Sequence, residues 1–108
     1  MAYRHIATRV EGLVESLTLN RPDVRNAFNE QMIAELTAWA HEARARASRG
    51  ESRVVVLSGA GKTFCAGADV TWMAKTIAYT EDENLRDATA ASQMFGALDE
   101  LPLPLVGR

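Results

Sequence analysis

Two short stretches of the 108-residue sequence combine residue types and spacing that could do chemistry. The first is Ser58-Gly59-Ala60-Gly61-Lys62-Thr63, where Gly-Lys-Thr follows an apolar run. A loop of that kind can cradle phosphates, but the full pattern also needs a glycine five positions before Gly61 and a helix opening at the Lys-Thr. Val56 occupies the glycine position, and the loop-like Phe64-Cys65-Ala66-Gly67 follows Thr63. A nucleotide-hydrolysing phosphate loop is therefore set aside. The second stretch is Phe64-Cys65-Ala66-Gly67-Ala68-Asp69-Val70. Its small residues let a ligand approach the backbone. If a helix opens near Asp69, the free amides of its first turn favour developing negative charge. That arrangement suits an oxyanion hole, in which N–H groups stabilise charge on a carbonyl oxygen. From spacing alone, the commoner reading of such a loop is that it binds nothing.

The other reactive side chains near this stretch have plainer readings. Asp69 suits a helix cap better than an acid catalyst. Cys65 has no histidine close in sequence to activate it and reads as a small filler. His5 and His41 form no catalytic pattern, and His41 reads as a helix-surface residue.

Residues 3–8 and 12–20 read as two strands of a hairpin with a tight turn at Gly12; Leu13, Leu17 and Leu19 share one side of the second strand. Arg21-Pro22-Asp23 breaks that strand. Asn26 or Asn29 then caps a helix in which Met32, Leu36, Ala40, Ala43 and Ala47 recur at helical spacing. Arg44, Arg46 and Arg49 read as its solvated face, and Gly50 as its stop. The run Val54-Val55-Val56-Leu57 suggests a strand buried on both faces. Asp69 opens a helix with Val70, Met73, Ala74 and Ile77 on one face. Thr80-Glu81-Asp82-Glu83 is a capping-box pattern for another, with Leu85, Ala88, Ser92, Phe95 and Leu98 as its stripe. Pro102 and Pro104 end it, and Leu105-Val106 begins a further buried strand. The order strand, strand, helix, strand, helix, helix, strand indicates an α/β fold.

Composition narrows the function classes. The net charge is −2, without the basic field of a nucleic-acid binder. No apolar run reaches the length of a membrane span, and the N-terminus lacks the apolar segment of a secretory signal. The single cysteine fits a reducing compartment, and the expected location is cytoplasmic.

Two blocks carry a family resemblance. Leu17-Thr18-Leu19-Asn20-Arg21-Pro22 with Arg25-Asn26-Ala27-Phe28-Asn29, and Val54 to Lys62 with Phe64 to Asp69, are similar to the opening segments of the enoyl-CoA hydratase/isomerase (crotonase) superfamily. With residues 102–107, the resemblance runs over essentially the whole chain. It implies the N-terminal half of a crotonase-type spiral of ββα units, so that residues 1–108 form part of a single domain that is incomplete in this chain. The implied substrate is an acyl-CoA thioester whose carbonyl is held by two backbone amides. The first donor falls on Ala68. Arg25 matches a position near the CoA phosphates, a solvated loop charge being its alternative; Ala27 lines the pantetheine. Ala66, Gly67, Asp69 and Val70 complete the implied binding segment. Coenzyme A enters as part of the substrate, and no metal or other cofactor is implied. The implied reaction is hydration of a 2,3 double bond. The alternatives are a double-bond isomerase or another crotonase-superfamily acyl-CoA enzyme, and a truncated, inactive acyl-CoA-binding remnant. Val70-Thr71-Trp72-Met73, Tyr79 and Glu83-Asn84-Leu85 look most like the methylglutaconyl-CoA hydratase branch. The family also implies a homotrimer or hexamer. Its two water-activating glutamates match no residue here; Glu81, Glu83 and Glu100 stand elsewhere.

Overall fold

The structure, a computed structural model, describes residues 3–107. Strands β1 (Ile6–Glu11) and β2 (Val14–Leu19) form the antiparallel hairpin, with Ile6 opposite Leu19 and Gly12 turning the chain at φ +59°. β1 starts and ends three residues later than its sequence pattern suggests. The Glu35 carboxylate takes the amides of Arg4 and His5 at 2.8 and 2.9 Å, which ties the preceding residues to a helix instead of a strand. A turn of 3-10 helix at Pro22–Val24 leads into helix α1 (Glu30–Ser48), capped by Asn29 through the Met32 amide. Strand β3 (Val54–Gly59) returns parallel to β2, with Val14 beside Val54 and Leu17 beside Leu57. Helix α2 (Val70–Thr76), helix α3 (Glu81–Asp99) and strand β4 (Leu105–Gly107) follow, and β4 pairs parallel with β3. The sheet order is β1-β2-β3-β4, an α/β layout as the element order indicated. Among the described residues, no helix is long and apolar enough to cross a membrane.

The core lies between the sheet and the helices. Leu17, Leu19 and Val55 meet Met32, Leu36, Trp39, Ala40 and Ala43 of α1, with Met94 contributed by α3. Burial of each of the Leu, Val and Met side chains among these contributes about 1.5–3 kcal/mol before the entropy of ordering is counted.

Several sequence expectations change here. In β3 only Val55 is fully buried, because packed helix covers one face of the strand and not the other. The apolar stripe of α2 faces outward, with Val70 79% and Ile77 87% exposed, while Trp72 packs on the core. In α3, Met94 rather than the Leu85–Phe95 stripe is buried; Phe95 meets Phe28 edge-on at 6.1 Å. β4 is half-buried at Leu105 and exposed at Val106. Thr80 does form the capping box with Glu83.

Arg46 is also not a solvated charge. Its guanidinium donates to both oxygens of Glu15, at 3.0 and 2.7 Å, and Glu15 is buried on the inward face of β2. Burial pushes the Glu15 carboxyl up, but the Arg46 hydrogen bonds and charge outweigh it and hold it below its usual value. Glu35 is lowered in the same balance, its burial outweighed by hydrogen bonds from the His5 amide, Gln31 and the Arg4 amide. A carboxyl whose pKa is depressed by folding binds fewer protons in the folded state, so its contribution is present above the ordinary carboxylate range and lost as pH falls through the folded value. The urea midpoint should therefore hold between pH 7 and 5 and fall steadily below about pH 4. A midpoint unchanged down to pH 3 would contradict the pairing.

Candidate active site

The segment of greatest chemical interest is held by a second segment that runs beside it. Residues 21–28 and 63–69 are joined through the backbone: Ala66 N–H donates to Arg25 O at 2.9 Å, Phe28 N–H to Gly67 O at 2.7 Å, and Asp69 N–H to Phe28 O at 2.6 Å. The last two bonds make a parallel bridge between Phe28 and Ala68. Side chains reinforce the join. Asn26 is fully buried; its Nδ2 donates to Ala60 O and Thr63 O at 2.9 and 2.7 Å, and its Oδ1 accepts from Arg21 N–H at 2.8 Å. Arg25 and Asn26 both sit at positive φ, 56° and 58°, a region that asparagine enters more readily than most residues.

Asp69 caps α2 by accepting from Trp72 N–H at 3.1 Å, and its other oxygen lies 2.9 Å from Arg21 Nη2. The Trp72 amide and then Arg21 hold the carboxyl below its usual value against the opposing effect of burial. Asp69 is thus committed to structure and has no free oxygen for acid catalysis, in line with its reading as a cap.

The Ala68 N–H is among the backbone donors that these contacts leave unused. In a trans peptide the C=O and N–H point in opposite directions, and the described residues contain no cis bond. The Gly67 carbonyl is bonded toward Phe28, so the Ala68 N–H of the same peptide unit faces away from Phe28. No acceptor among the described residues takes it. Gly67 itself stands at φ +95°, a conformation open to glycine and strained for other residues.

Beside Ala68 lies a cleft of about 320 Å³. Arg25, Ala27, Ala66, Ala68, Asp69 and Val70 line it, which brings together every sequence-derived site residue except Gly67. Gly67 contributes the peptide carbonyl behind it. Arg25, Ala66, Ala68 and Val70 are exposed, and Ala27 and Asp69 are buried. Asp23, Val24 and Thr71 also line the cleft and are not among the sequence-derived site residues. Larger grooves run between α1 and α3 past His41, which is exposed on the helix surface as its spacing suggested.

The glycine-rich stretch before Lys62 has a packing role. A Cβ on Gly59 would fall 2.7 Å from both Phe64 Cα and Thr63 O, backbone atoms that cannot swing aside. The Gly59→Ala variant should lose about 1–3 kcal/mol in urea unfolding as the 63–69 segment is pushed off β3. Gly96→Ala, whose added methyl meets nothing within 4 Å, serves as the control and should be neutral or gain up to about 1 kcal/mol. Equal stability of the two variants would contradict this assignment. No helix opens at Lys62-Thr63, which removes the nucleotide-loop reading on structural grounds as well.

The site thus sets a small-residue loop and a cleft beside a parallel pair of strands joined through a helix. The chain belongs to the enoyl-CoA hydratase/isomerase family, whose sequence profile matches residues 9–107. It is 33% identical over 100 residues to a probable enoyl-CoA hydratase, echA6, of Mycobacterium leprae, covering 93% of this chain and 37% of that protein. It is 34% identical over 104 residues to the 1,2-epoxyphenylacetyl-CoA isomerase of Escherichia coli, covering 95% of this chain and 34% of that one. Among solved structures, an enoyl-CoA hydratase from Shewanella pealeana superposes with a TM-score of 0.90 at 30% identity, over 96% of this chain and 38% of that one. The chain therefore spans little more than a third of the length of these relatives.

Proposed function

We propose that the protein acts on acyl-CoA thioesters as an enoyl-CoA hydratase or isomerase, with the Ala68 amide receiving the thioester carbonyl. The observation that carries this reading is the unpartnered Ala68 N–H beside a cleft. As a double bond conjugated to the thioester is attacked, negative charge moves onto the carbonyl oxygen, and a fixed donor there lowers the barrier. The donor is already oriented by the Phe28 bridge, so little reorganisation accompanies reaction. Arg25 is the residue proposed to meet the CoA phosphates; its exposed guanidinium at the cleft suits a bidentate anion contact. Ala27 and Ala66 are small enough to admit the pantetheine beside the backbone. Coenzyme A arrives as part of the substrate, and the proposed reaction calls for no further cofactor.

Hydration is the primary reading. Isomerisation or another acyl-CoA reaction is retained because the alignment with an acyl-CoA isomerase, the Escherichia protein, covers as much of this chain as that with the Mycobacterium hydratase. The finer substrate assignment, 3-methylglutaconyl-CoA, rests on Val70-Thr71-Trp72-Met73, of which Val70 and Thr71 line the cleft. A homotrimer or hexamer belongs to the same proposal; the exposed apolar residues of α2 and α3 are surfaces that an assembly would cover.

Calorimetry of the full-length protein tests the substrate class. Crotonyl-CoA and 3-methylglutaconyl-CoA should bind, and crotonyl-pantetheine should bind more weakly for want of phosphates. No heat with any acyl-CoA from a folded sample would end the proposal.

A further inference from the structure

We infer that Arg21 is a positioning residue for the Ala68 amide: it does not meet the substrate but fixes the two backbone segments whose bridge aims that N–H. The inference rests on the reading of Ala68 as the carbonyl donor.

The direction of the Ala68 N–H depends on its own peptide unit, whose carbonyl is bonded to Phe28 N–H, and on the next one, whose N–H is bonded to Phe28 O. Aim therefore requires residues 27–28 and 67–69 to keep a fixed separation. Arg21 spans both. Nη1 donates to Ala27 O at 2.7 Å, one residue before Phe28, and Nη2 reaches Asp69 Oδ2 at 2.9 Å, one residue after Ala68. The Arg21 and Asp69 side chains are only 13% and 9% exposed, so little water competes for either contact. Arg21 is itself anchored, its N–H held by buried Asn26. Arg21 is absent from the lining of the Ala68 cleft. A planar guanidinium suits this task because its donors diverge at fixed angles; a lysine ammonium carries the charge on a longer-ranging point and does not hold two acceptors in one plane. Misplacement of a catalytic group by about 1 Å can cost about 10²-fold in rate, even when the change is remote from the reacting atoms.

Two variants of the full-length protein separate aim from fold. Arg21→Lys keeps the charge and loses the fork. Asp69→Asn keeps a side-chain oxygen to cap α2, since asparagine caps as well as aspartate, and loses the ion pair. Each is measured by steady-state hydration of crotonyl-CoA and by the ¹⁵N–¹H resonance of Ala68 with and without saturating crotonyl-CoA. The expected result in both is a fall in kcat on the order of tenfold or more with KM within about threefold, and a diminished shift of the Ala68 resonance on binding. Wild-type kcat with a wild-type Ala68 shift in the folded variants would overturn the role of Arg21 while leaving the reading of Ala68 intact. An Ala68 resonance that ignores crotonyl-CoA in the wild-type protein would overturn both. Failure of both variants to fold would also count against the inference, because it would make the Arg21 bracket a requirement of the fold rather than of the amide's direction.

Discussion

Replacing Ala68 by proline is expected to lower kcat for crotonyl-CoA hydration on the order of 10²-fold or more, the scale of one lost oxyanion donor. Ala68→Gly is expected to retain much of the activity. The contrast follows from where the chemistry resides. The methyl group of Ala68 has no task in the proposed reaction, whereas its N–H is a spare donor at the cleft. Because that N–H has no partner among the described residues, its removal breaks no internal hydrogen bond. The proline effect should accordingly fall on rate more than on stability. Proline also fixes its own φ and restricts the residue before it, here Gly67 at φ +95°, so thermal unfolding and the Phe28–Asp69 amide resonances must be compared in parallel. A folded proline variant with full activity would remove Ala68 from the site.

Residues 1–108 expressed alone are expected to show no measurable hydration of crotonyl-CoA. The carboxyl groups at the cleft are Asp23 and Asp69, and Asp69 is spent on Arg21 and the α2 cap. Positioned acid–base catalysis supplies about 10²–10⁴-fold and an oxyanion donor about 10²–10³-fold, so a site with one amide and no water-activating pair forgoes about 10⁴–10⁷-fold. The same preparation should unfold broadly and self-associate. Val70, Ile77, Leu85 and Phe95 are exposed together on α2 and α3, and β1 and β4 each leave one edge of the sheet unpaired among the described residues. Analytical ultracentrifugation and a hydration assay on the same sample check both statements. Measurable turnover from a monomer would contradict them and would direct attention to Asp23, Glu81, Glu83 and Glu100.

Much of this was legible in the residues, and the reasons for the rest are physical. Helix caps were readable because they are local: Asn29, Asp69 and Thr80 each bond an amide three residues ahead. Six of the cleft-lining residues were accessible through the resemblance of residues 25–29 and 64–70, although spacing alone left that loop without a ligand, and Asp23, Val24 and Thr71 were not. Partner choice across the fold was not readable. Arg46 looks solvated in its helix pattern, and only the return of β2 beneath α1 sets Glu15 against it. Arg21 and Asn26 looked like a strand break and a possible cap; their work spans 48 and 37 residues of sequence, to Asp69 and Thr63. The one available hint was an asparagine where the chain must turn through positive φ. Burial of α2 and α3 was over-read because apolar periodicity states which face is oily, not whether anything covers it.

The Ala68 N–H is proposed to hold the substrate's thioester carbonyl. Infrared difference spectroscopy of crotonyl-CoA labelled with ¹³C at that carbonyl, bound at saturation to the full-length protein, tests it most directly. A hydrogen-bonded, polarised carbonyl stretches at lower frequency than the free thioester. Bound crotonyl-CoA is expected to shift to lower frequency in the wild-type protein, and part of the shift should be lost in Ala68→Pro at equal occupancy. A carbonyl stretch unchanged on binding, or shifted equally in both proteins, would contradict it.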